Sequence, residues 1–318
     1  MINYIGHDAN MRSFTAAMAA EKLHHGWILG GLRGLGKAAF ARKIASMLVD
    51  PDARFSSMIE NGSHPDIITV RRLPKEPAKE GEEVDPDAEL KRSISVDQIR
   101  ALQGALTKRP GMGDKRAIII DAADDMERGG ANALLKSLEE PPVGTYFLLI
   151  SHASDRLLPT IRSRCQMLRF EPLADDEMAP ALRAAMPDLD DANINALIAA
   201  GGGAPGQALE FAGLDLAELE NAMSAIIATG DKSNQYRGAL ADKLALKAAQ
   251  PRYEAFLRRV PQRIAEHARK RDAPSVLSAV DAYQEASNLA ARAIALTLDK
   301  QSVVFQMGSL LASLQTHR

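Results

Sequence analysis

The chain has 318 residues, of which 46% are hydrophobic and 25% charged, a composition typical of a globular protein with two or three domains. Its formal net charge of -2 argues against a protein that coats nucleic acid through a strong positive field. A single cysteine excludes an internal disulfide framework and a cysteine-cluster zinc site. Without an apolar leader or a run of apolar residues long enough for a membrane, we expect a soluble, cytoplasmic protein.

In the first half of the chain, predicted strands alternate with predicted helices. A helix around Phe14 and Met18 precedes a short buried strand at 27–29, and an apolar helix follows over 38–49. Further strands are predicted at 66–70, 117–120 and 146–150, and further helices at 96–106 and 132–140. This order predicts an α/β domain with a parallel sheet covered on both faces. Residues 71–92, which are rich in charge and proline, interrupt it and predict a solvated loop.

A glycine-rich loop joins the first strand to the helix at 38–49, and it reads Gly-Leu-Arg-Gly-Leu-Gly-Lys-Ala over residues 31–38. In a phosphate-binding loop, backbone N–H groups and a helix N-terminus point at phosphate oxygens, and a lysine reaches the β and γ phosphates. The candidate ATP-binding residues are therefore Gly31, Gly34, Gly36 and Lys37. Ala38 stands where such a loop has the Ser or Thr that binds Mg²⁺, so ATP is expected to bind weakly if it binds at all.

A second motif, at the end of the strand predicted at 117–120, also lacks a residue that motor ATPases usually have. The strand delivers Asp121, which is a candidate to hold Mg²⁺ through water as part of the same degenerate ATP site. Ala122 follows it, where a motor ATPase usually has its catalytic glutamate, and Asp124 is expected to cap or flank the next helix. We therefore expect no intrinsic ATPase activity, and a fold kept for assembly.

The chain changes character after residue 173. Strand-like runs disappear, alanine and leucine dominate, and helices are predicted at 175–185, 192–200 and 207–212, followed by longer ones to 314. We predict three domains: a P-loop domain at 1–172, a small helical domain at 173–212 and a second helical domain at 213–318.

Several motifs resemble those of one known family. The segment Pro-Thr-Ile-Arg-Ser-Arg-Cys at 159–165 resembles the Ser-Arg-Cys signature of the AAA+ subunits of bacterial clamp loaders. The resemblance extends to Leu-Leu-Lys-Ser-Leu-Glu-Glu-Pro-Pro at 134–142 and to the stretches at 64–66, 94–100, 149–152 and 202–206. It covers residues 6 to about 210.

This resemblance implies a stator-like, non-motor subunit in a ring that loads the sliding clamp onto DNA, as a component of the DNA polymerase III holoenzyme. The partners implied are the motor (gamma/tau) subunits, the clamp-opening delta subunit, and the sliding clamp and primer-template DNA through the complex. The domains at 173–212 and 213–318 would be a lid and an oligomerisation collar. Arg164 would be an arginine finger acting in trans on ATP of a neighbouring subunit, with Ser163 and Cys165 setting its position. A guanidinium at the γ phosphate neutralises the charge that develops in phosphoryl transfer.

The sequence departs from the family pattern in ways that bear on cofactors. Many members carry a cysteine-ligated zinc module after the P-loop helix, but residues 50–65 contain no cysteine, so no zinc and no metal site is expected. Gln207 stands where related ATPases often have a phosphate-sensing arginine. Cys165 is expected to be a packed residue because no base partner is evident.

Two other functions remain open from the sequence. An active AAA+ ATPase, such as a clamp-loader motor or a helicase loader, would use the same P-loop, but it should carry Ser or Thr at 38 and Glu at 122. A DNA-binding module would contact phosphates through the basic cluster formed by Lys108, Arg109, Lys115 and Arg116. Those residues flank a core strand, which favours a solvated edge instead.

Overall fold

A computed structural model describes residues 5–76, 88–269 and 273–315. The chain divides into two compact units, Met1–Glu177 and Met178–Arg318. The first is an α/β unit and the second is helical throughout its described residues. The further boundary at 212/213 stays a prediction.

The first unit is built on a sheet in which every neighbouring pair of strands is parallel. The strands are β1 (Gly26–Gly30), β2 (Ile67–Arg71), β3 (Arg116–Asp121), β4 (Thr145–Ser151) and β5 (Gln166–Arg169), in the spatial order β2-β3-β4-β1-β5. Its helices are α1 (Asp8–Ala19), α2 (Lys37–Val49), α3 (Ser56–Glu60), α4 (Val96–Leu106), α5 (Arg128–Glu139) and α6 (Pro159–Arg162). The predicted α/β class with a parallel sheet is confirmed.

The position of each strand in the sheet follows from its side chains. β1 is buried along its whole length, and β3 and β4 nearly so, as expected for central strands covered by helices on both faces. β2 and β5 form the two edges, and each buries a single side chain fully. β5 was not predicted, because a four-residue run with only Leu168 buried carries almost no periodic signal.

Local signals explain the bounds of the two helices that lie between β2 and β4. α4 has the predicted bounds because Ser95 and Gln98 form a reciprocal capping box at its start. α5 starts before the predicted residue 132, since Gly129 and Gly130 weaken the helical pattern. A Cβ atom on Gly130 would lie 3.3 Å from Ile99 Cγ1, so this glycine lets α5 approach α4 closely.

The described residues of the segment 71–92, which was predicted as a solvated loop, are exposed or half-buried, but the segment begins in a strand and its two ends are paired. Arg71 is the last residue of β2, and Pro74 and Leu90 form an antiparallel bridge. Arg72 makes an ion pair of 3.0 Å with Asp125 beyond β3. Main-chain pairing therefore joins the two ends of the segment to each other, and the ion pair joins Arg72 to the residues after β3. Residues 77–87 lie outside the described part of the chain.

The second unit consists of helices in its described residues, as predicted for this part of the chain. They are α7 (Asp175–Ala185, which begins in the first unit), α8 (Asp191–Gly201), α9 (Pro205–Leu209), α10 (Leu216–Thr229), α11 (Gln235–Ala245), α12 (Gln250–Ala268), α13 (Ala273–Ala295) and α14 (Lys300–Ala312). Ala279, Ala282 and Ala286 are buried on α13, which packs against α12, and such small side chains let helices pack closely. Among the described helices, none is long and apolar enough to cross a membrane.

Candidate functional site

The glycine-rich loop, Asp121 and Ser151 meet at one edge of the sheet. β1 and β4 are in register with Gly30 opposite Ser151, and β3 and β4 with Asp121 opposite Ile150. All three strands therefore end at the same level, and the loop follows directly from β1. In open parallel sheets this carboxyl-terminal edge is where ligands bind.

The glycines of the loop are required by its backbone. A Cβ atom on Gly31 would lie 2.3 Å from the carbonyl oxygen of Phe170, so only glycine lets β5 pass this close. Gly36 precedes α2 with a φ angle of 79°, in the left-handed region that favours glycine. Within the described residues, the N–H groups of Gly34 and Gly36 donate to no protein acceptor. The loop thus carries the backbone donors that a phosphate needs.

Lys37 is the first residue of α2, and its side chain is buried inside the loop, with 3% of its surface exposed. Its Nζ donates to the carbonyl oxygens of Gly31 at 2.6 Å and Leu32 at 2.5 Å. Burial lowers the pKa of Lys37 from 10.5 to about 8, although Asp121 and Asp124 oppose the shift. These two contacts use two of the three N–H donors of the ammonium group, which leaves one for a phosphate oxygen.

The shifted pKa of Lys37 predicts a pH dependence of stability. Between about pH 8 and pH 10.5 the unfolded chain binds a proton at Lys37 that the folded chain has released, so the free energy of unfolding rises with pH. We expect a rise of up to about 3 kcal/mol over this range, and none from this residue below pH 8.

This rise can be measured by urea unfolding followed through the fluorescence of Trp27, the single tryptophan, which lies in β1. Lys37→Met is the control, because it keeps most of the apolar stem and removes the titrating group. Equal slopes of stability against pH in the two proteins would contradict a lowered pKa at Lys37.

At the end of β3, Asp121 faces the same edge, and the buried methyl group of Ala122 follows it. Asp124 does not cap α5, whose first turn has no side-chain cap. Its carboxylate instead accepts hydrogen bonds from Ser151 Oγ at 2.8 Å and from the backbone N–H of His152. Asp124 therefore joins the ends of β3 and β4.

The residues present fit a phosphate better than a magnesium-bound nucleotide. Ala38 offers no oxygen ligand, and Asp121 is the carboxylate at the strand end. No group of three or more potential metal-binding side chains occurs in the described ranges 5–76, 88–269 and 273–315. If ATP binds, the loop amides and Lys37 would hold its phosphates, and Asp121 would approach a metal through water. ATP would supply the phosphate oxygens that these donors bind.

Arg164 lies at the opposite edge of the sheet from the glycine-rich loop. It follows α6 and comes two residues before β5, whose first residue, Gln166, pairs with Trp27 near the start of β1. The loop begins after the far end of β1, at Gly31, which is about 13 Å further along a strand that rises about 3.3 Å per residue. The guanidinium of Arg164 therefore lies remote from the loop of its own chain.

The neighbours of Arg164 hold the connection in place. Ser163 Oγ accepts a hydrogen bond from Arg164 Nη1 at 3.3 Å. Cys165 packs against the core, and a Cβ atom on Gly26 would lie 2.9 Å from its Sγ atom. Burial raises the pKa of Cys165 to about 12, so it is a neutral thiol at neutral pH and not an activated nucleophile.

One member of the basic cluster considered for DNA binding, Arg116, is not at the surface. Arg116 is buried, and its guanidinium donates to the carbonyl oxygens of Ala105, Lys108 and Arg109, 3.7 Å from the carboxylate of Asp66. It holds the end of α4 against β3 and is not available to a phosphate. Lys108 and Arg109 are exposed and Lys115 is half-buried, so three of the four cations remain at the surface without the buried Arg116.

Several histidines and Gln207, which were also considered in the sequence, have the following positions in the fold. His24 and His25 stack with ring centroids 4.3 Å apart, and His64 accepts a hydrogen bond at Nδ1 from the backbone of Asp66. His7, which the sequence did not single out for the loop, lies with Nε2 3.2 Å from the carbonyl oxygen of Leu35. Gln207 lies in α9 of the helical unit.

The parallel sheet, the loop on β1 and the acidic residue at the end of β3 define a P-loop protein of the AAA+ type. The chain belongs to the family described as DNA polymerase III, delta subunit, whose model matches residues 6–174. This match covers the whole α/β unit as far as the start of α7.

Curated relatives agree with this family. The chain is 32% identical to the DNA polymerase III subunit delta' of Pseudomonas aeruginosa over 57% of its length and 53% of that protein. It is 34% identical to the delta' subunit of Bacillus subtilis over 51% of its length and 47% of that protein. The matches thus span about half the length of these relatives. Gamma and tau subunits of the same polymerase are also among the relatives.

A solved structure from Thermotoga maritima, described as a DNA polymerase III gamma subunit-related protein, is similar to the chain with a TM-score of 0.45 and 16% identity. The similarity covers 95% of this chain and 99% of that one.

Proposed function

We propose that this chain is a non-motor, stator-like AAA+ subunit of the DNA polymerase III clamp loader. It helps load the sliding clamp onto DNA and supplies Arg164 to ATP held by a neighbouring subunit. The family match and the delta' relatives support the placement in this polymerase. The resemblance of residues 159–165 to the Ser-Arg-Cys signature supports the role of Arg164.

The observation that carries the proposal is the separation of the two sites within one chain. The glycine-rich loop lies at the carboxyl edge of the sheet and Arg164 near the amino edge, so a phosphate that Arg164 contacts belongs to another chain. The chain's own loop has Ala38 in place of the magnesium ligand, and Ala122 after β3 stands in place of the glutamate. One chain is thus equipped to assist hydrolysis by a neighbour and not to perform it.

The proposed partners are the gamma/tau motor subunits and the clamp-opening delta subunit, with the sliding clamp and primer-template DNA met through the complex. We propose that residues 213–318 form the collar that holds the chain in the ring and that residues 173–212 form the lid. Mixing the purified chain with the motor and delta subunits and sizing the product tests this. A discrete hetero-oligomer is the expected result, and a chain that elutes alone in every mixture would refute the proposal.

The isolated chain should show no ATP turnover above background. Ala38 removes a direct magnesium ligand, and Ala122 cannot polarise an attacking water. A steady-state hydrolysis assay with Mg²⁺ tests this, and Lys37→Ala prepared in the same way separates the chain's own activity from a contaminant. Turnover on the order of one per second that Lys37→Ala abolishes would establish the alternative function, an active AAA+ ATPase.

A further inference from the structure

The side chain of Arg164 is held by three acceptors of its own chain. Its Nη1 donates to the carbonyl oxygen of Thr160 at 2.9 Å and to Ser163 Oγ at 3.3 Å. Its Nη2 lies 2.6 Å from Oε1 of Glu139. Thr160 and Ser163 belong to the same short segment as Arg164 and move with it. Glu139 belongs to α5, so this ion pair fixes the guanidinium to a different element of the fold.

Both ends of the ion pair are anchored in the core of the α/β unit. Leu138, which precedes Glu139, is buried, and its carbonyl oxygen lies 2.9 Å from Nε2 of His25 at the start of β1. On the other side, Cys165 packs against the same core cluster as Leu138, next to Gly26. The two charged side chains therefore extend from backbone positions that have little freedom to move.

The position of Glu139 is unfavourable for a carboxylate in an isolated helix. It is the last residue of α5, where the carbonyl groups that end a helix carry partial negative charge and disfavour acids. The side chain of Glu139 is 48% exposed, so packing does not account for it. Its ion pair with Arg164 is the described contact that compensates this placement.

The contacts of Arg164 within its own chain leave some N–H donors of its guanidinium available for a phosphate. An arginine has five N–H groups, and the contacts to Thr160, Ser163 and Glu139 use three of them. Within the described residues, the Nε–H group and one N–H of Nη2 have no acceptor. The side chain of Arg164 is 34% exposed, so a phosphate oxygen of another chain has access to these donors.

We propose that Glu139 is a positioning residue that holds the guanidinium of Arg164 in place for a phosphate bound by the neighbouring subunit. This inference rests on the proposed function of Arg164 in trans. When a donor is fixed before the reaction, no free energy is spent on ordering it while charge develops on the phosphate. Misplacement of a catalytic group by about 1 Å can lower a rate by about 10²-fold. Glu139 thus contributes to the neighbour's turnover without touching its nucleotide.

The test is the DNA-stimulated and clamp-stimulated ATPase of the reconstituted ring with Glu139→Ala in this chain. We expect kcat to fall by up to about 10-fold with little change in the KM for ATP, because positioning and not nucleotide binding is lost. Glu139→Gln keeps an acceptor oxygen and should restore part of the rate. Glu140→Ala, a change at the next exposed acidic residue, is the matched control and should leave the rate unchanged.

Combining Glu139→Ala with Arg164→Ala should give the rate of Arg164→Ala alone, since both changes remove one effect. A normal or raised kcat for Glu139→Ala, in a ring where Arg164→Ala is impaired, would overturn the inference and leave the finger assignment standing. If Arg164→Ala itself keeps the normal rate, the proposed function of Arg164 fails and the inference fails with it. Thermal melting of each isolated variant checks that the fold is retained.

Discussion

Replacing Arg164 with alanine should leave the fold and assembly of this chain intact while it lowers ATP hydrolysis by the adjacent motor subunit. Arg164 lies near the amino edge of the sheet, away from the loop of its own chain, so its loss should appear only in the kinetics of a partner. Trans-acting arginine fingers contribute about 10³ to 10⁵ in rate in small GTPases, and dilution by the other sites of a ring reduces the observed change.

The measurement is the clamp-stimulated and DNA-stimulated ATPase of the reconstituted complex at matched concentrations of wild-type and variant chains. Arg162→Ala is the control, because Arg162 is exposed, lies two residues before Arg164 at the end of α6 and pairs with Asp155 at 3.6 Å. A general loss of positive charge would affect both variants, whereas loss of a finger affects only Arg164→Ala. An unchanged rate with assembly confirmed would show that Arg164 is a structural arginine.

Much of the α/β unit was predictable because its signals are local. A buried strand followed by a glycine-rich loop and an apolar helix can be recognised from consecutive residues, and the bounds of α4 follow from the capping box of Ser95 and Gln98. β1, β2, β3 and β4 were each predicted to within one residue at either end. The helical character of the chain after residue 173 was predicted from composition and periodicity alone.

The contacts of the site were harder to predict because they join residues that are distant in the sequence. Asp124 was expected to cap or flank the next helix, and it lies shortly before α5 without capping it, but its partners, Ser151 and His152 at the end of β4, were not predicted. Arg116 looked like one of several surface cations, yet the carbonyl oxygens at the end of α4 enclose it. In both cases the alternatives differ only in tertiary contacts, which a periodic pattern does not encode.

The contact of Glu139 with the proposed arginine finger, Arg164, likewise joins residues that are distant in the sequence. The segment 134–142 was noted for its resemblance to the family, but no signal in it pointed to Arg164. The one available hint was the carboxylate at the predicted end of a helix, where the helix dipole disfavours it. The ion pair of Glu139 and Arg164 is formed only when α5 and the residues before β5 are brought to the same edge of the sheet.

In the helical unit, replacing Arg259 with alanine should cause a large loss of stability. Arg259 lies on α12 with none of its side chain exposed, and its guanidinium bonds the carboxylates of Glu220 and Glu266. Removing it leaves two partly buried carboxylates with a more distant positive partner, Arg263, which lies 3.2 Å from Glu266 and 3.9 Å from Glu220. Breaking such a network from one side costs about 3 to 5 kcal/mol, and we expect the lower end because Arg263 remains.

The loss should lower the midpoint of thermal unfolding by about 10 °C when it is followed by far-UV circular dichroism. Arg258→Ala, a change at the preceding residue, is the matched control. Its guanidinium is half-exposed, pairs with Glu210 at 2.9 Å and lies over the ring of Phe211, so its removal should cost less than about 1 kcal/mol. Equal losses for the two variants would mean that the buried network contributes no more than a surface ion pair. In that case the packing of the helices, chiefly α12 against α13 and α11 against α14, would contribute more to the stability of this unit than the Arg259 network.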